Sequence, residues 1–496
     1  MTPGLILLVL GLYFALLMLV AFLTAGKADN TSFYIGNRNS RWYLVAFGMI
    51  GASLSGVTFI SIPGWVADTQ FSYMQMVLGY LAGYFVIANV LMPLYYRLNL
   101  VSIYEYLEQR FGFWSYKTGA LYFLISRVIG ASFRLFLVAG VLQIFLFDAW
   151  NVDFSITVLV TIVLIWLYTF RGGIKTIVWT DTLQTLFMLS AVGIVIYLIG
   201  RDIGLSTGGL ISAIQDSNYS QVFFWNWDVK HNFFKQFLSG MFITIVMTGL
   251  DQDMMQKNLT CKSLSDAKKN MFWFSVILVF ANLLFLSLGA LLYIYANHNG
   301  IPLPERSDNL FPLLARDNFN VLAGVVFLLG IIAAAYSSAD SALTALTTSF
   351  CFDFLNFKEK EENPEIRKKQ RKTRLLVHLG FSALMFIVIL VFKQINNQAV
   401  ISAVFTAAGY TYGPLLGLYA FGLFTKLNIK DEGVPIVCFL SPIISFLLDH
   451  YSEVLFNGYT FGFEILIVNG AITFIGMLIL QKKKATPTTE RLSEYS

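Results

Sequence analysis

Long apolar runs recur from one end of the chain to the other, separated by polar stretches. A run of about 18 or more mainly apolar residues can cross a hydrocarbon layer of ~30 Å as a helix. We predict about thirteen such spans by length and hydropathy, and therefore an all-α membrane protein in a lipid bilayer. The predicted spans are residues 4–24, 43–67, 72–95, 118–147, 154–170, 177–200, 236–255, 271–296, 320–350, 375–392, 399–424, 434–450 and 460–481.

Composition agrees with this pattern and excludes several function classes. Of the 496 residues, 57% are apolar and 13% are charged, whereas a soluble domain has about 45–50% and about 25%. The net charge of +5 comes mostly from loops, so it does not indicate a nucleic-acid partner. The scattered Cys261, Cys351 and Cys438 predict neither a disulfide framework nor a zinc site. Neither a G-x-x-x-x-G-K-[ST] loop nor an H-E-x-x-H motif occurs, so we expect neither an ATP-driven pump nor an enzyme.

Lysines and arginines are concentrated in the loops after the odd-numbered spans. Because cytoplasmic loops carry the excess of these residues, we predict the amino terminus outside and the carboxyl terminus, with a polar tail at 482–496, in the cytoplasm. Compact loops favour a bacterial inner membrane. The first run has no basic segment before it, which favours a span over a cleaved signal peptide. The cations of these loops include Lys27, Arg38, Arg41, Arg97, Arg110, Lys117, Arg171, Lys175, Lys257, Lys262, Lys268, Lys269, Lys358, Lys360, Lys426, Lys430, Lys483 and Lys484.

Small and hydroxyl-bearing residues interrupt the second span between Gly51 and Thr58. Membrane carriers place binding sites where a helix breaks, because unwound carbonyls can then coordinate a cation. Close helix packing by small residues explains the same segment equally well. The segment therefore predicts either a binding site or a tight helix contact.

The ninth span carries polar residues on one helical face. Ala334, Ser337, Ser338 and Ser341 are spaced i, i+3, i+4 and i+7, so they lie on one side of the helix. Three hydroxyls on that side are suitable oxygen ligands for a hard cation. Asp340 lies deep in the same span, where packing alone does not explain a carboxylate. This face favours an ion site.

Other polar residues within spans leave two interpretations each. Asp181 is either part of a site or a solvated carboxylate near a helix end. Arg127 and Arg134 share a face and either bind an anionic substrate group or form structural ion pairs. Tyr410 and Tyr412, beside glycine and proline, form either a gate or a simple proline kink.

Several short motifs resemble the sodium/solute symporter family, in particular its bacterial sialic-acid and sugar transporters. The resemblance covers nearly the whole chain. Its most specific pieces are Ser61-Ile62-Pro63, the segment 102–111, Gly172-Gly173-Ile174 with Trp179-Thr180-Asp181, and Ser337-Ser338. It implies a LeuT-type fold with two inverted repeats of five helices. The implied division is 1–42 for the first helix and its loop, 43–200 for the first repeat, 201–424 for the second repeat, 425–481 for two final helices and 482–496 for the tail.

The resemblance also implies ligands and substrate contacts. A sodium site would use the carbonyls of Gly51, Leu54 and Ala334 and the hydroxyls of Ser337 and Ser338. A second cation site would use Asp181, Ser337, Asp340 and Ser341. Asp340 replaces a serine of the family, and its added carboxylate would hold either sodium or a proton. The substrate cavity would be lined by Ser53, Ser55, Thr58, Tyr73, Gln75, Arg127 and Arg134, with Tyr410 and Tyr412 as gate.

From these features we expect a sodium-coupled symporter that imports a small polar solute by alternating access. The solute would be a sugar, a sugar acid such as sialic acid, or another carboxylate. Na⁺ and this solute are the expected ligands. An uncoupled facilitator or channel, and a proton-coupled carrier that uses Asp340, are the alternatives. The sequence leaves the oligomeric state open.

Overall fold

The fold is built from α-helices throughout the described part of the chain. The computed structural model describes residues 2–25, 40–169, 173–357, 363–396 and 398–482. Within these ranges the extended pairings are two isolated bridges, Ser40 with Cys261 and Ile429 with Gln481. The prediction of an all-α protein is confirmed.

The helices follow one another along the chain with short connections. They are α1 (Pro3–Ala25), α2 (Trp42–Ser53), α3 (Gly56–Thr69), α4 (Tyr73–Val86), α5 (Met92–Leu98), α6 (Glu105–Arg110), α7 (Phe113–Leu142), α8 (Phe154–Thr169), α9 (Gly173–Asp202), α10 (Thr207–Gln215), α11 (Phe233–Thr244), α12 (Gln252–Asn258), α13 (Leu264–His298), α14 (Leu310–Leu313), α15 (Val321–Ser349), α16 (Pro364–Ile395), α17 (Val400–Thr411), α18 (Gly413–Phe424), α19 (Val434–His450), α20 (Ser452–Leu455) and α21 (Ile465–Ile479). Single π-helical turns extend α4, α7, α11, α14 and α15, at Ile87–Leu91, Gln143–Phe147, Ile245–Gly249, Leu314–Asn318 and Phe350–Phe354.

Many of these helices are long and apolar enough to cross a membrane. Eight pass that test in the described ranges, and two bent pairs raise the number to ten. The bent pairs are α2 with α3, which turn by 53°, and α11 with its π-turn and α12, which turn by 69°. The other predicted spans fall on the shorter apolar helices α8, α17, α18 and α21, so the count of thirteen stays a prediction.

Part of the predicted charge pattern cannot be placed. Lys27, Arg38, Arg171, Lys358 and Lys360 lie outside the described residues, as do Gly172 and the tail from residue 483 onward.

Hydrogen bonds between chain segments mark the two ends of the bundle. At one end, called here the Phe71 end, the Phe71 N–H donates to the Gln221 carbonyl at 3.0 Å. At the other, the Ile103 end, the Ile103 N–H donates to the Gln252 side chain at 3.0 Å, and the Ile103 carbonyl accepts from the Tyr419 hydroxyl at 2.7 Å. The first contact follows the end of α3, and the second involves Gln252 at the start of α12.

Glycines allow α4 and α11 to approach backbone to backbone. A Cβ atom added at Gly79 would lie 2.1 Å from the Phe237 carbonyl oxygen, and one at Gly240 would lie 2.2 Å from the Met76 carbonyl oxygen. Membrane helices use small residues in this way because apolar lipid tails give the helices no hydrophobic reason to associate. The contact holds two of the walls of the cavity described below.

We expect Gly79→Ala to lower the thermal unfolding temperature of the purified protein in detergent. The added methyl group overlaps a carbonyl oxygen that belongs to rigid backbone, and overpacking costs about 1–3 kcal/mol. Gly193→Ala on α9 is the matched control, because no atom lies within 4 Å of its Cβ position. The control should gain up to about 1 kcal/mol of helix propensity. Equal stability of the two variants would contradict the close contact.

Candidate functional site

The α2–α3 pair is broken at Leu54, in the segment where the sequence predicts a weak helix. Helix α2 ends at Ser53, and Leu54 has φ −80° and ψ 77°. The Ser55 N–H donates to the Ser53 carbonyl at 3.1 Å and so departs from the helical bond to the Gly51 carbonyl. Carbonyls in the last turn of a helix lose their partners in this way. The break therefore turns backbone oxygens, among them that of Gly51, into available ligands.

The polar face of α15 lies directly against this break. The Ser338 hydroxyl donates to the Ala334 carbonyl at 3.3 Å and reaches the Ala52 carbonyl at 3.5 Å. All five predicted ligands of the first sodium site lie at or beside this contact: Gly51, Leu54, Ala334, Ser337 and Ser338. Carbonyl and hydroxyl oxygens are the donors that a hard cation such as Na⁺ prefers.

Helix α9 approaches the same place from the other side. A Cβ atom at Gly51 would lie 2.1 Å from the Thr185 hydroxyl and 3.3 Å from the Asp181 carbonyl oxygen. The Thr185 hydroxyl donates to the carbonyls of Asp181 at 2.7 Å and Phe47 at 3.1 Å. Gly51 is therefore a close helix contact, and its use as a sodium ligand stays a prediction that this packing does not exclude.

The second predicted cation site contains a lysine that the sequence analysis placed in a loop. The buried Asp181 carboxylate accepts a hydrogen bond from the Ser337 hydroxyl at 2.6 Å and one from Lys257 Nζ at 2.7 Å. Asp340 is fully buried on α15, and one of its oxygens accepts from the Ser341 N–H at 2.5 Å. The Ser341 hydroxyl has no hydrogen-bond partner among the described residues. In the structure, Asp181 and Ser337 are therefore in direct contact, and Lys257 is an additional member of the group that the sequence analysis did not include.

The loop assignment of Lys257 is wrong for a physical reason. Helix α12 continues the bent pair inward, and all seven of its residues are buried. The hydropathy pattern ends the seventh predicted span at residue 255 and therefore assigns Lys257 to the loop that follows it. The signal that could have found it is the presence of Asp251 and Asp253 directly after an apolar run, because carboxylates there require buried partners.

A cavity of about 90 Å³ lies at the centre of the bundle. Its walls come from the α2–α3 break, α4, α7, α11 with its π-turn, α13 and α17. The polar residues that line it are Ser53, Ser55, Thr58, Tyr73, Tyr80, Tyr84, Arg127, Arg134, Thr244, Thr248 and Asn282. Six of the seven predicted substrate contacts are among them.

The seventh predicted contact, Gln75, does not line the cavity. Its amide nitrogen donates to the His231 carbonyl at 2.9 Å, and its amide oxygen accepts from the Phe224 N–H at 3.1 Å. Gln75 therefore holds the loop before α11. Tyr410 also lies away from the cavity, since its hydroxyl donates to the Asp449 carboxylate at 2.5 Å.

Sequence reasoning missed five polar residues of the cavity. Tyr80 and Tyr84 follow Tyr73 by seven and eleven residues, which places all three on one face of α4. Thr244 and Thr248 are four residues apart on one turn of the α11 segment. The fifth, Asn282, stands alone in a long apolar run, where a polar side chain needs a partner or a cavity.

The two arginines of the cavity have different environments. Arg127 is buried, pairs closely with Asp253, and lies 3.8 Å from Asp251. Arg134, two turns further along α7, is half-buried and lines the cavity. It makes no ion pair with a carboxylate of the described residues. The guanidinium of Arg134 is thus available to a ligand, whereas that of Arg127 is already neutralised.

Asp251 is stabilised by the start of α12. One of its oxygens accepts from the N–H groups of Asp253 at 3.0 Å and Met254 at 3.3 Å, and the other accepts from the Tyr412 hydroxyl at 2.6 Å. Carboxylates are favoured at helix N-termini by the aligned peptide dipoles. Tyr412 and Asp251 therefore form one group with the Arg127–Asp253 pair, of which Arg127 lines the cavity.

Aromatic rings close the cavity towards the Phe71 end. Phe405 stacks on Tyr73 with ring centroids 6.4 Å apart and meets Phe463 at 5.2 Å. Trp65 contacts Tyr73 at 6.4 Å and Phe463 at 6.2 Å. The cavity accordingly lies between an aromatic layer (Trp65, Tyr73, Phe405, Phe463) and a charged layer (Arg127, Asp251, Asp253, Tyr412).

Comparison with known sequences agrees with this architecture. Residues 33–431 match the model of the sodium:solute symporter family, a family of transporters. The sodium/sialic acid symporter NanT of Aliivibrio fischeri is 25% identical over 82% of this chain and 80% of its own length. Sodium-coupled monocarboxylate transporter 1 of Mus musculus is 26% identical over 84% of this chain and 66% of its own. The human sodium/iodide cotransporter is 24% identical over 83% and 65%.

Comparison with solved structures confirms the predicted fold. A Na⁺-coupled sialic acid symporter in a substrate-bound outward-open state superposes with a TM-score of 0.80 and 20% identity. It covers 96% of this chain and 98% of that chain. The nucleobase-cation symporter Mhp1 in a closed conformation gives a TM-score of 0.51 over 92% of this chain. The chain has the LeuT-type fold.

Removing one partner of the buried Arg127–Asp253 pair should strongly destabilise the protein. We expect Asp253→Asn to cost up to about 3–5 kcal/mol of unfolding free energy, because the buried guanidinium then keeps only its 3.8 Å contact with Asp251. Asp317→Asn is the control. Its pair with Arg316 is exposed, and exposed pairs contribute about 0–1 kcal/mol. Denaturant or thermal unfolding in detergent measures both, and equal effects would contradict the structural role of the buried pair.

Proposed function

The chain belongs to the sodium:solute symporter family, and we propose that it imports a small organic anion, such as a monocarboxylate, together with sodium. The observation that carries the choice of an anion is the Arg134 guanidinium, which faces the cavity without a carboxylate partner among the described residues. Arginine presents a planar fork of donors that matches a carboxylate in two parallel hydrogen bonds.

The names of the relatives support an anion as well. Sialic acid, monocarboxylates and iodide are the solutes in the names of the three relatives described above, and all three are anions. The cavity volume of about 90 Å³ favours the smaller of these anions. An apolar cavity of ~150 Å³ holds one benzene ring, so in this conformation a short carboxylate fits better than a sugar acid.

Charge balance supports coupling between the anion and sodium. The two positive charges of Arg127 and Arg134 equal the two negative charges of Asp251 and Asp253. An anion alone would therefore give the site a net charge of about −1. Sodium at the Ser337–Ser338 site restores neutrality. Each ligand then raises the affinity for the other, and this effect is reciprocal. Sodium that enters down 100 mV adds roughly 2.3 kcal/mol to the driving force.

Alternating access would open the two layers in turn. The proposed topology is that of a bacterial inner-membrane carrier with its amino terminus outside and its carboxyl terminus in the cytoplasm. The Phe71 end then faces the outside, the aromatic layer is the outer gate, and the charged layer with Tyr412 is the inner gate. Tyr410, which bonds Asp449, would act at the hinge between α17 and α18.

Loss of the Ser338 hydroxyl should weaken sodium binding while the fold persists. A hydrogen bond or ligand contact to a charged group is worth about 1.5–3 kcal/mol, so Ser338→Ala should lower sodium affinity about tenfold to hundredfold. Titration of thermal stability with NaCl against KCl measures this affinity in the purified protein.

Ser445→Ala is the matched control for that substitution. Ser445 is a fully buried serine on α19 whose hydroxyl bonds the Ser441 carbonyl of its own helix. We expect its sodium titration to equal that of the unaltered chain. Stabilisation of the unaltered chain by sodium and potassium alike would contradict a sodium site and favour an uncoupled facilitator.

Replacement of Arg134 should remove selectivity for anions. In proteoliposomes with an inward sodium gradient, a panel of a monocarboxylate, sialic acid, iodide and a neutral sugar identifies the substrate. We expect Arg134→Gln to raise the KM for the anion about tenfold to hundredfold, by the same energy of a charged hydrogen bond. We expect the KM of Arg134→Lys to lie between those of the unaltered chain and of Arg134→Gln, because lysine keeps the positive charge but lacks the planar fork of donors.

Arg201→Gln is the control, since Arg201 is exposed and pairs only with the neighbouring Asp202. Uptake that favours the neutral sugar and survives Arg134→Gln would overturn the anion proposal. Uptake driven by a proton gradient without sodium would instead assign the coupling to Asp340.

A further inference from the structure

A lysine stands where the sequence predicts a second cation. Lys257 Nζ lies 2.7 Å from one Asp181 oxygen, with 1% of the lysine side chain and 0% of the aspartate side chain exposed. The other Asp181 oxygen accepts from the Ser337 hydroxyl at 2.6 Å. One carboxylate thus joins three helices, because Asp181 lies on α9, Lys257 on α12 and Ser337 on α15.

The surroundings of this ion pair are otherwise suited to a metal cation. Asp340 is fully buried on the same face of α15, and the Ser341 hydroxyl has no hydrogen-bond partner among the described residues. Tyr13 of α1 lies near enough to Asp181 and to Asp340 to interact electrostatically with both carboxylates. The cluster therefore gathers two carboxylates and several hydroxyls around one point of the bundle.

The free-energy cost of burying charge determines whether this ion pair requires a further cation. Burial of an ion costs several kcal/mol unless an opposite charge compensates it. Asp181 carries one negative charge and Lys257 carries one positive charge, so this buried pair is neutral without a metal cation. The Ser337 hydroxyl donates its proton to Asp181, and its lone pairs remain free to bind a cation on the Ser338 side. The single sodium ion proposed at the Ser337–Ser338 site is then left to balance the charge of the substrate site.

We propose that Lys257 is a built-in cation that fills the second cation position at Asp181, so that this carrier binds one sodium ion per transport cycle. The inference rests on the proposed sodium coupling. The ammonium group travels with α12 and cannot be released, so it compensates Asp181 without being transported. Removing its charge leaves the buried Asp181 carboxylate without a cation, and its oxygens then form a second sodium site with the hydroxyls of Ser337 and Ser341.

The test is the sodium stoichiometry of the purified full-length protein. Equilibrium binding of radioactive ²²Na⁺ should give about one ion per chain, with a Hill coefficient of about 1. Lys257→Met should give about two ions per chain and a Hill coefficient between about 1 and 2. Lys257→Arg keeps the charge and should stay at one ion. The double variant Lys257→Met/Asp181→Asn should also return to one ion.

Lys235→Met is the matched control, because Lys235 is another buried lysine, on α11, whose Nζ has no hydrogen-bond partner among the described residues. Its stoichiometry should equal that of the unaltered chain. Two ions bound to the unaltered chain, or one ion bound to a folded Lys257→Met variant, would overturn the built-in cation. If Lys257→Met does not fold, the number of sodium ions bound to the unaltered chain and to the double variant still tests the proposal.

This test separates the two proposals. Absence of any sodium binding to the unaltered chain would refute the sodium coupling itself. Two ions per chain would refute only the role of Lys257 and would leave a two-sodium symporter.

Discussion

A membrane interior has no water to satisfy backbone carbonyls, and this constraint explains the centre of the molecule. A helix can break there only where the freed oxygens meet a protein group, a cavity or an ion. The break at Leu54 meets a protein group and a cavity, and the proposed sodium ion would be the third partner. Its carbonyls face Ser338 on one side, and Ser53 and Ser55 line the cavity on the other. The same few residues therefore belong to both the proposed ion site and the proposed substrate site.

The remaining charges are arranged around that break in pairs. Asp253 neutralises Arg127, the start of α12 stabilises Asp251, and Lys257 neutralises Asp181. All of the partners on α12 lie within seven residues of one another. Any tilt of this short helix alters the charged layer below the cavity and the ion cluster beside it at the same time. The bent pair α11–α12 thus connects the proposed inner gate to the proposed cation site.

Sequence patterns predict the fold, and they also predict the serine and glycine segments that the structure brings into contact. The serine face of α15 follows from helical spacing, and Gly51 to Thr58 follows from the weak helix they form. Gln75 and Lys257 could not be placed in this way, because their roles depend on loops and helix ends that are distant in sequence. The side-chain amide of Gln75 forms hydrogen bonds with the backbone of Phe224 and His231. The ammonium of Lys257 binds the carboxylate of Asp181, which lies 76 residues earlier in the chain. A hydropathy pattern treats a polar residue as facing water unless an apolar helix surrounds it.

The break also gives a physical route for coupling. In the proposed site, sodium bound to the carbonyls at the end of α2 would fix the direction of Leu54 and Ser55, and these residues form one wall of the cavity. A substrate that contacts Ser55 therefore meets a wall already ordered by sodium, and it loses less conformational entropy on binding. Because the relation is reciprocal, a substrate in the cavity also orders the sodium ligands. Coupling by this route requires no contact between the two ligands. It requires only that the Gly51–Ser55 segment is shared by both sites.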